Sequence, residues 1–302
     1  MASKKLSFEG AFSPIPTPFD EQGMVAHDRF AENIEKWCKT DLAGLLALGS
    51  NGEFTYLSEQ EKIDVLKTAR QAMPDNKMLI AGTGCDSTIN TLRLTEQAAA
   101  IGADTAMILT PIYFRGKMDG QALLQHYLEL ADNSPIPVLL YNMPANTGVD
   151  IDATTVIRLA EHPNVKGIKD SSGNIIKIGA VLQHTPDDFH FLAGSASFLY
   201  PAMVLGASGG VMALSNIAPE QCCQLVKYVK AGLHQEAREL QLKLISANTA
   251  VTAKFGVAGL KKAMDWAGYY GGPVRSPLRP LNETEESNLR TMLAQSGILA
   301  DE

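Results

Sequence analysis

Lys169 is the side chain whose position in this sequence most favours chemistry. It ends the short apolar run Val165-Lys166-Gly167-Ile168-Lys169 and is followed by an aspartate. A lysine that is wholly or partly buried loses hydration, which favours its neutral amine and makes that amine a nucleophile toward carbonyl carbons. Most lysines at strand ends reach back to solvent instead. Lys169 therefore indicates covalent catalysis only if neighbouring residues supply the rest of a site.

Two tyrosines follow other apolar runs of the chain. Tyr141 ends the run at 137–141, and Tyr113 comes just after the run at 105–109. An aromatic residue at a strand end is most often a core or rim residue. The strands that end at Tyr141 and Lys169 would lie about 4.8 Å apart, however, if they are neighbours in a sheet. The phenol could then reach the amine, which predicts a nucleophile with an acid/base partner.

A glycine-rich segment, Gly49-Ser50-Asn51-Gly52-Glu53, follows the apolar run at 44–48. Its two glycines allow a sharp turn that exposes successive backbone N–H groups, and such groups can hold a carboxylate. Ser50 and Asn51 add side-chain donors. Taken alone, the segment is more often a plain connection between a strand and a helix.

Short apolar runs alternate with helix-length amphipathic segments along the first 218 residues. The runs predict strands at 11–15, 44–48, 78–81, 105–109, 137–141, 165–169, 189–193 and 209–213. The intervening segments predict helices at 27–39, 59–72, 88–101, 119–132, 153–161, 174–184 and 196–205. This alternation indicates parallel strands with right-handed crossovers, and eight units of this length fit a closed (β/α)8 TIM barrel. The alternative, an open doubly wound sheet, usually has a nucleotide loop after its first strand, which Pro14-Ile15-Pro16-Thr17-Pro18 cannot form.

The strand pattern stops near residue 219. The segments 219–231, 234–250, 256–269 and 283–297 predict helices instead. We therefore divide the chain into a catalytic barrel over 1–218 and, over 219–302, the last barrel helix with a helical C-terminal extension. Because no linker or low-complexity segment separates them, we expect one folding unit.

Composition and charge exclude several classes of function. The net charge of −7 and pI near 5.4 argue against nucleic acid or an anionic membrane as a partner. No apolar run approaches the ~20 residues that span a bilayer. The four cysteines show no spaced framework, and the N-terminus has neither a signal-peptide nor a presequence pattern, so we expect a cytoplasmic protein.

Other catalytic chemistries have little support in the sequence. The six histidines lack metal-ligand spacing, so no metal site is expected. No Gly-x-Ser-x-Gly motif of a serine hydrolase occurs. The segment Ala81-Gly82-Thr83-Gly84 lacks the third glycine of a dinucleotide-binding fingerprint.

The motifs together resemble the dihydrodipicolinate synthase / N-acetylneuraminate lyase family of class I, Schiff-base aldolases. The resemblance covers about residues 8–298 and rests on Gly49-Ser50-Asn51-Gly52-Glu53, Tyr113, Tyr141-Asn142-x-Pro144 and Gly167-Ile168-Lys169-Asp170. Within that family the sequence is most similar to the animal-type 4-hydroxy-2-oxoglutarate aldolase branch, through Ser50-Asn51 and Pro144-Ala145-Asn146-Thr147-Gly148 among others. Asn146 stands where a synthase has a substrate-gripping arginine, and asparagine cannot supply that bidentate cation.

The resemblance implies a role for each matching residue. Lys169 would form an imine with the C2 ketone of a 2-oxo acid, Tyr141 would be the acid/base, and Ser50 and Tyr113 would complete a hydroxyl relay. Family members bring this relay tyrosine from a neighbouring subunit. The expected substrate-binding residues are Ser50 and Asn51 at the C1 carboxylate, Ser171 and Gly194 at the distal part, and the Met212 backbone near the imine.

The same resemblance implies cleavage of 4-hydroxy-2-oxoglutarate to pyruvate and glyoxylate by a homotetramer built from dimers. No metal or organic cofactor is expected, because the lysine itself supplies the electron sink. Three alternatives remain open: an aldolase or dehydratase for another 2-oxo-3-deoxy sugar acid, a dihydrodipicolinate synthase, and a 2-oxo-acid-binding protein without turnover.

Overall fold

Eight parallel strands close into a barrel in a computed structural model that describes residues 6–299. The strands pair in chain order, and β1 pairs with β8 to close the sheet. They are β1 Gly10–Pro14, β2 Gly44–Ala47, β3 Met78–Gly82, β4 Thr105–Leu109, β5 Val138–Asn142, β6 Val165–Asp170, β7 His190–Ala193 and β8 Gly209–Val211. The predicted (β/α)8 TIM barrel is thus confirmed.

Helices follow every strand. Those outside the C-terminal part are α1 His27–Cys38, α2 Glu59–Ala72, α3 Thr88–Ile101, α4 Gly120–Asn133, α5 Pro144–Thr147, α6 Ala153–Ala160, α7 Ile175–His184 and α8 Leu199–Val204. Local sequence sets their ends: Ser58 and Glu61 form the capping box of α2, and Asp152 caps α6. The helix predicted at 196–205 is instead a 3-10 turn, Ala196–Phe198, followed by the short α8.

Two hydrophobic clusters fill the barrel. The inner cluster lies within the sheet and includes Phe12, Leu46, Leu139, Leu192 and Val211. The outer cluster fills the space between strands and helices. Tyr141 and Leu192 both belong to the inner cluster. Side chains alternate between the two faces of a strand, so a residue of β6 that pairs in register with these two also points into the barrel.

The C-terminal part is helical, as predicted. It contains α9 Pro219–Lys230, α10 His234–Thr249, a π-helical turn Ala250–Lys254, α11 Gly256–Trp266 and α12 Glu283–Gln295. The buried residues of these helices, such as Leu244, Leu260 and Leu289, belong to the same outer cluster as the barrel. Apart from Ala250, the last residue of the helix predicted at 234–250, the π-helical turn lies where the sequence predicted no element.

The structure corrects the end of the last strand. β8 stops at Val211, two residues before the predicted end, because Ala213–Asn216 turns into a 3-10 helix. Within residues 6–299, no helix combines the length and apolar character needed to span a membrane.

Candidate active site

Lys169 and Tyr141 face each other at the carboxyl ends of β6 and β5. The two residues are paired in register, and Lys169 is in turn paired with Leu192 of the inner cluster. Lys169 Nζ lies 4.0 Å from the centroid of the Tyr141 ring, and the two residues are only 4% and 5% exposed. Among the described residues, nothing forms a hydrogen bond or ion pair with this amine. Lys169 is therefore a buried amine left available to a ligand.

A buried ion pair fixes the strand end that carries Lys169. Asp170, the next residue, contacts Lys177 Nζ of α7 at 2.9 Å and accepts a hydrogen bond from Asn142 Nδ2, also at 2.9 Å. Lys177 contacts Asp150 as well, at 2.8 Å. Asn142 donates to Asp150 and accepts from the Ile151 backbone, so it ties β5 to the following loop. This network holds β5 and β6 in the register that places Tyr141 beside Lys169.

The turn after β2 exposes unpaired backbone amides, as its glycines suggested. Ser50–Gly52 forms one 3-10 turn, and the first amides of such a turn lack internal acceptors. In the part of the chain that the structure describes, neither the Ser50 nor the Asn51 N–H has an acceptor. The Ser50 hydroxyl lies 3.3 Å from the Tyr141 hydroxyl. A carboxylate bound to these amides would lie next to the phenol.

The turn has strained backbone at both ends and is anchored to the C-terminal helices. Leu48 and Glu53 have φ of 60° and 52°, a region that non-glycine residues rarely adopt. Glu53 contacts Lys261 Nζ of α11 at 2.5 Å and accepts a hydrogen bond from the Arg275 amide at 2.9 Å. Burial lowers the pKa of Lys261 to about 8. These contacts hold the turn in its strained conformation.

A cavity of about 410 Å³ opens above these residues. Six of the expected residues line it: Lys169, Tyr141, Ser50, Asn51, Ser171 and Gly194. Lys169 is the only charged side chain among the described residues of the lining. The arrangement can bind an anion on free amides, present one unpaired amine to a carbonyl, and move a proton through a phenol.

Two expected site residues lie outside this lining. Met212 is fully buried and its amide donates to the Phe12 carbonyl, while its neighbours Val211 and Ala213 line the cavity. Tyr113 is 78% exposed, its amide donates to Asp86, and its ring packs edge-on against Phe114. Within this single chain, Tyr113 therefore does not join the Ser50–Tyr141 pair.

The cavity also has walls beyond the expected site residues. Asn146, which the sequence distinguished from the arginine of a synthase, lines it together with Ser195. Residues 251–253 of the π-helical turn, Gly256 and Val257 complete this part of the lining. Small residues in an irregular helical segment have no distinctive pattern, so nothing in the sequence indicated a role for them. Lys177 was also missed, because a lysine on an amphipathic helix normally faces solvent. Among residues 6–299, no group of three or more histidine, cysteine or acidic side chains is placed to hold a metal.

Comparison with known proteins identifies the family. The model of the dihydrodipicolinate synthetase family matches residues 7–296. The chain belongs to this family. A 4-hydroxy-tetrahydrodipicolinate synthase of Exiguobacterium is 34% identical over 95% of this chain and 98% of its own length. An uncharacterised DapA-like lyase of Halobacterium salinarum is 33% identical over 97% and 96%.

Solved structures agree with this assignment. A dihydrodipicolinate synthase from Acinetobacter baumannii, solved with pyruvate, superposes with a TM-score of 0.92 at 31% identity, over 97% of this chain and all of the other. YagE from E. coli K12, also solved with pyruvate, has a TM-score of 0.91 at 28% identity, over 97% of this chain and all of the other. Members of the family are pyruvate-dependent class I aldolases and lyases. This chain is accordingly a carbon–carbon lyase of that type.

Proposed function

We propose that this enzyme cleaves 4-hydroxy-2-oxoglutarate to pyruvate and glyoxylate through an imine on Lys169. The observation that carries the proposal is the buried Lys169 amine, which has no hydrogen-bond or ion-pair partner in the described chain and lies against Tyr141 in the cavity. An amine that no hydrogen-bond or ion-pair partner holds is free to attack a carbonyl carbon.

In the proposed mechanism, the Lys169 nitrogen attacks the C2 ketone, and the departing hydroxyl takes the Tyr141 proton and leaves as water, which gives a protonated imine and a Tyr141 phenolate. The Tyr141 oxygen accepts the proton of the 4-hydroxyl while the C3–C4 bond breaks. The bonding electrons move to the iminium as an enamine, and the C4 fragment leaves as glyoxylate. Protonation of the enamine at C3 and hydrolysis of the imine release pyruvate and regenerate the lysine. No further electron sink is needed.

The C1 carboxylate would bind the free amides of Ser50 and Asn51, with the Ser50 hydroxyl as a third donor. Backbone N–H groups at the start of a helical turn form a suitable anion site. This anchor would place C2 toward Lys169 and the 4-hydroxyl toward Tyr141.

The choice of substrate depends on the rest of the cavity lining. Asn146 belongs to this lining, and the described lining contains no arginine to grip the carboxylate of a synthase's aldehyde substrate. This argues against the synthase reaction, although several similar sequences carry that name. Small and neutral polar residues there suit a short acceptor such as glyoxylate. A longer 2-oxo-3-deoxy sugar acid is the second candidate, because the cavity of about 410 Å³ has room for it.

One comparison of substrates tests the proposal. Release of pyruvate is measured in a coupled assay with 4-hydroxy-2-oxoglutarate and with a 2-oxo-3-deoxy sugar acid, alongside a synthase assay. We expect the highest kcat/KM for 4-hydroxy-2-oxoglutarate. A higher value for the sugar acid would establish the second candidate, and loss of substrate without an aldehyde product would indicate a dehydratase.

We also propose a homotetramer of paired dimers in which Tyr113 enters the cavity of a neighbouring subunit. Exposure of three consecutive large residues, Ile112, Tyr113 and Phe114, supports a contact surface there. We further propose that the protein works in the cytoplasm. This is a reducing compartment, in which the four cysteines of the described chain would stay free, as they are in the structure.

A further inference from the structure

Asn248 links the C-terminal extension to the cavity. It lies on α10 and is 1% exposed. Its Nδ2 donates to the Ser195 hydroxyl at 2.9 Å and to the Ser197 hydroxyl at 2.8 Å. Both serines belong to the loop that follows β7. Both hydrogens of the amide are therefore committed to this loop, while Oδ1 has no partner in the described structure.

The hydrogen bonds of Ser195 leave one group unused. Its oxygen accepts from Asn248 Nδ2 and from the Ser197 amide, the latter at 3.2 Å. A serine hydroxyl has two acceptor lone pairs and one donor proton. With both lone pairs occupied, the proton is the remaining polar function, and Ser195 lines the cavity. Ser195 is therefore arranged as a donor to whatever binds there.

Ser171 presents a second hydroxyl on the same wall. Its oxygen is buried and has no partner among residues 6–299, although the residue lines the cavity. Gly194 makes room for it, since a Cβ at position 194 would overlap the Ser171 oxygen. Unsatisfied buried hydroxyls are costly unless a ligand or water completes them. Two neutral donors thus converge on a region whose described lining has no charge other than Lys169.

We propose that Ser195 determines specificity by donating a hydrogen bond to the distal carboxylate of the substrate, and that Asn248 is the positioning residue that keeps the Ser195 proton turned toward the cavity. This inference rests on the proposed function, because it assigns a partner to the C5 carboxylate of 4-hydroxy-2-oxoglutarate. It places part of substrate selection in the C-terminal extension rather than in the barrel.

Two aldehyde acceptors separate this role from a merely structural one. Glyoxylate carries the carboxylate, and acetaldehyde has a methyl group in its place. Condensation with pyruvate is measured for each. Ser195→Ala should lower kcat/KM for glyoxylate about 10- to 100-fold, the value of a lost hydrogen bond to a charged group, and leave acetaldehyde nearly unchanged.

Asn248→Asp tests the positioning residue with almost no change in shape. A carboxylate can only accept, so it would draw the Ser195 proton away from the cavity. We expect the same selective loss for glyoxylate as in Ser195→Ala. Ser197→Ala is the matched control: it removes the other side-chain contact of Asn248 but lies outside the cavity lining, so the ratio of the two acceptors should stay at the wild-type value.

Trapping of the pyruvate imine with borohydride tests the proposed function separately from the role of Ser195. Ser195→Ala and Asn248→Asp should trap pyruvate as the wild type does, because pyruvate has no distal group. Equal losses for both acceptors, no loss for either, or a wild type that does not prefer glyoxylate would overturn the role of Ser195. Failure of the wild type to trap pyruvate would instead overturn the proposed function.

Discussion

Lys169 lies over the face of the Tyr141 ring rather than at its hydroxyl. The nitrogen is 4.0 Å from the ring centroid, while the hydroxyl lies 3.3 Å from Ser50. The two groups pack against each other without an amine–phenol hydrogen bond. The phenol oxygen therefore stays available to the substrate, and the ring face stabilises the amine whenever it is charged.

Replacing Tyr141 by phenylalanine keeps the ring that supports Lys169 and removes only the hydroxyl. If the phenol is the acid/base, kcat for cleavage should fall by roughly 10²–10⁴-fold. Steady-state kinetics measures this. Tyr127→Phe is the control, since the Tyr127 hydroxyl donates to the Ile108 carbonyl and the residue lies outside the cavity lining. Equal kcat values in the wild type and Tyr141→Phe would exclude Tyr141 as the acid/base.

Lys177→Met tests the network beneath the site. It leaves Asp170 buried without its cation, and breaking a buried pair in this way costs about 3–5 kcal/mol of unfolding free energy. Lys166→Met is the matched control on the preceding strand, because its partner Asp188 is 73% exposed and such pairs contribute at most about 1 kcal/mol. Urea unfolding measures the loss of unfolding free energy in each variant. Similar losses in both variants would refute a structural role for the Asp170–Lys177 pair.

Mixing of two inactive variants tests whether Tyr113 acts in a neighbouring subunit. Lys169→Ala retains Tyr113, and Tyr113→Phe retains Lys169. If Tyr113 crosses the subunit interface, a mixed dimer contains one complete site, so random reassociation should restore up to about a quarter of wild-type activity. A mixture no more active than the sum of its two components would place Tyr113 outside the catalytic relay.

The buried His126 side chain should make the free energy of unfolding decrease in acid. Burial lowers its pKa to about 4, from 6.5 in the unfolded chain. As the pH falls between these values, the unfolded chain takes up a proton that the folded one does not, so stability is lost. Relative to His126→Gln, the wild type should lose about 3 kcal/mol between pH 7 and pH 4. Urea unfolding at several pH values measures the difference, and a pH-independent difference would contradict it.

The regular part of the fold could be predicted because it depends on local patterns. The capping box at Ser58 and Glu61 fixed the start of α2, and strand–helix alternation indicated the barrel. The π-helical turn at 250–254 could not be predicted in this way, since it depends on packing between the extension and the loops of the barrel. β8 was predicted too long because Met212 and Ala213 continue its apolar pattern after the chain has turned.

The residues of the candidate site also differ in how far the sequence could indicate them. Residues at or just after the ends of strands, such as Ser50, Tyr141 and Lys169, could be singled out as candidates because the barrel brings those positions to one rim. Ser195 lies just after β7, but the role proposed for it depends on Asn248, 53 residues later in the chain. Such a pairing depends on how the extension folds back onto the barrel, which no spacing in the sequence indicates.

The most direct test of the account is reduction with borohydride in the presence of pyruvate, followed by peptide mass analysis. We expect a three-carbon adduct on Lys169, none on Lys261 or Lys177, and no adduct or turnover in Lys169→Ala. An enzyme that remains unmodified under these conditions yet stays active would contradict the imine mechanism.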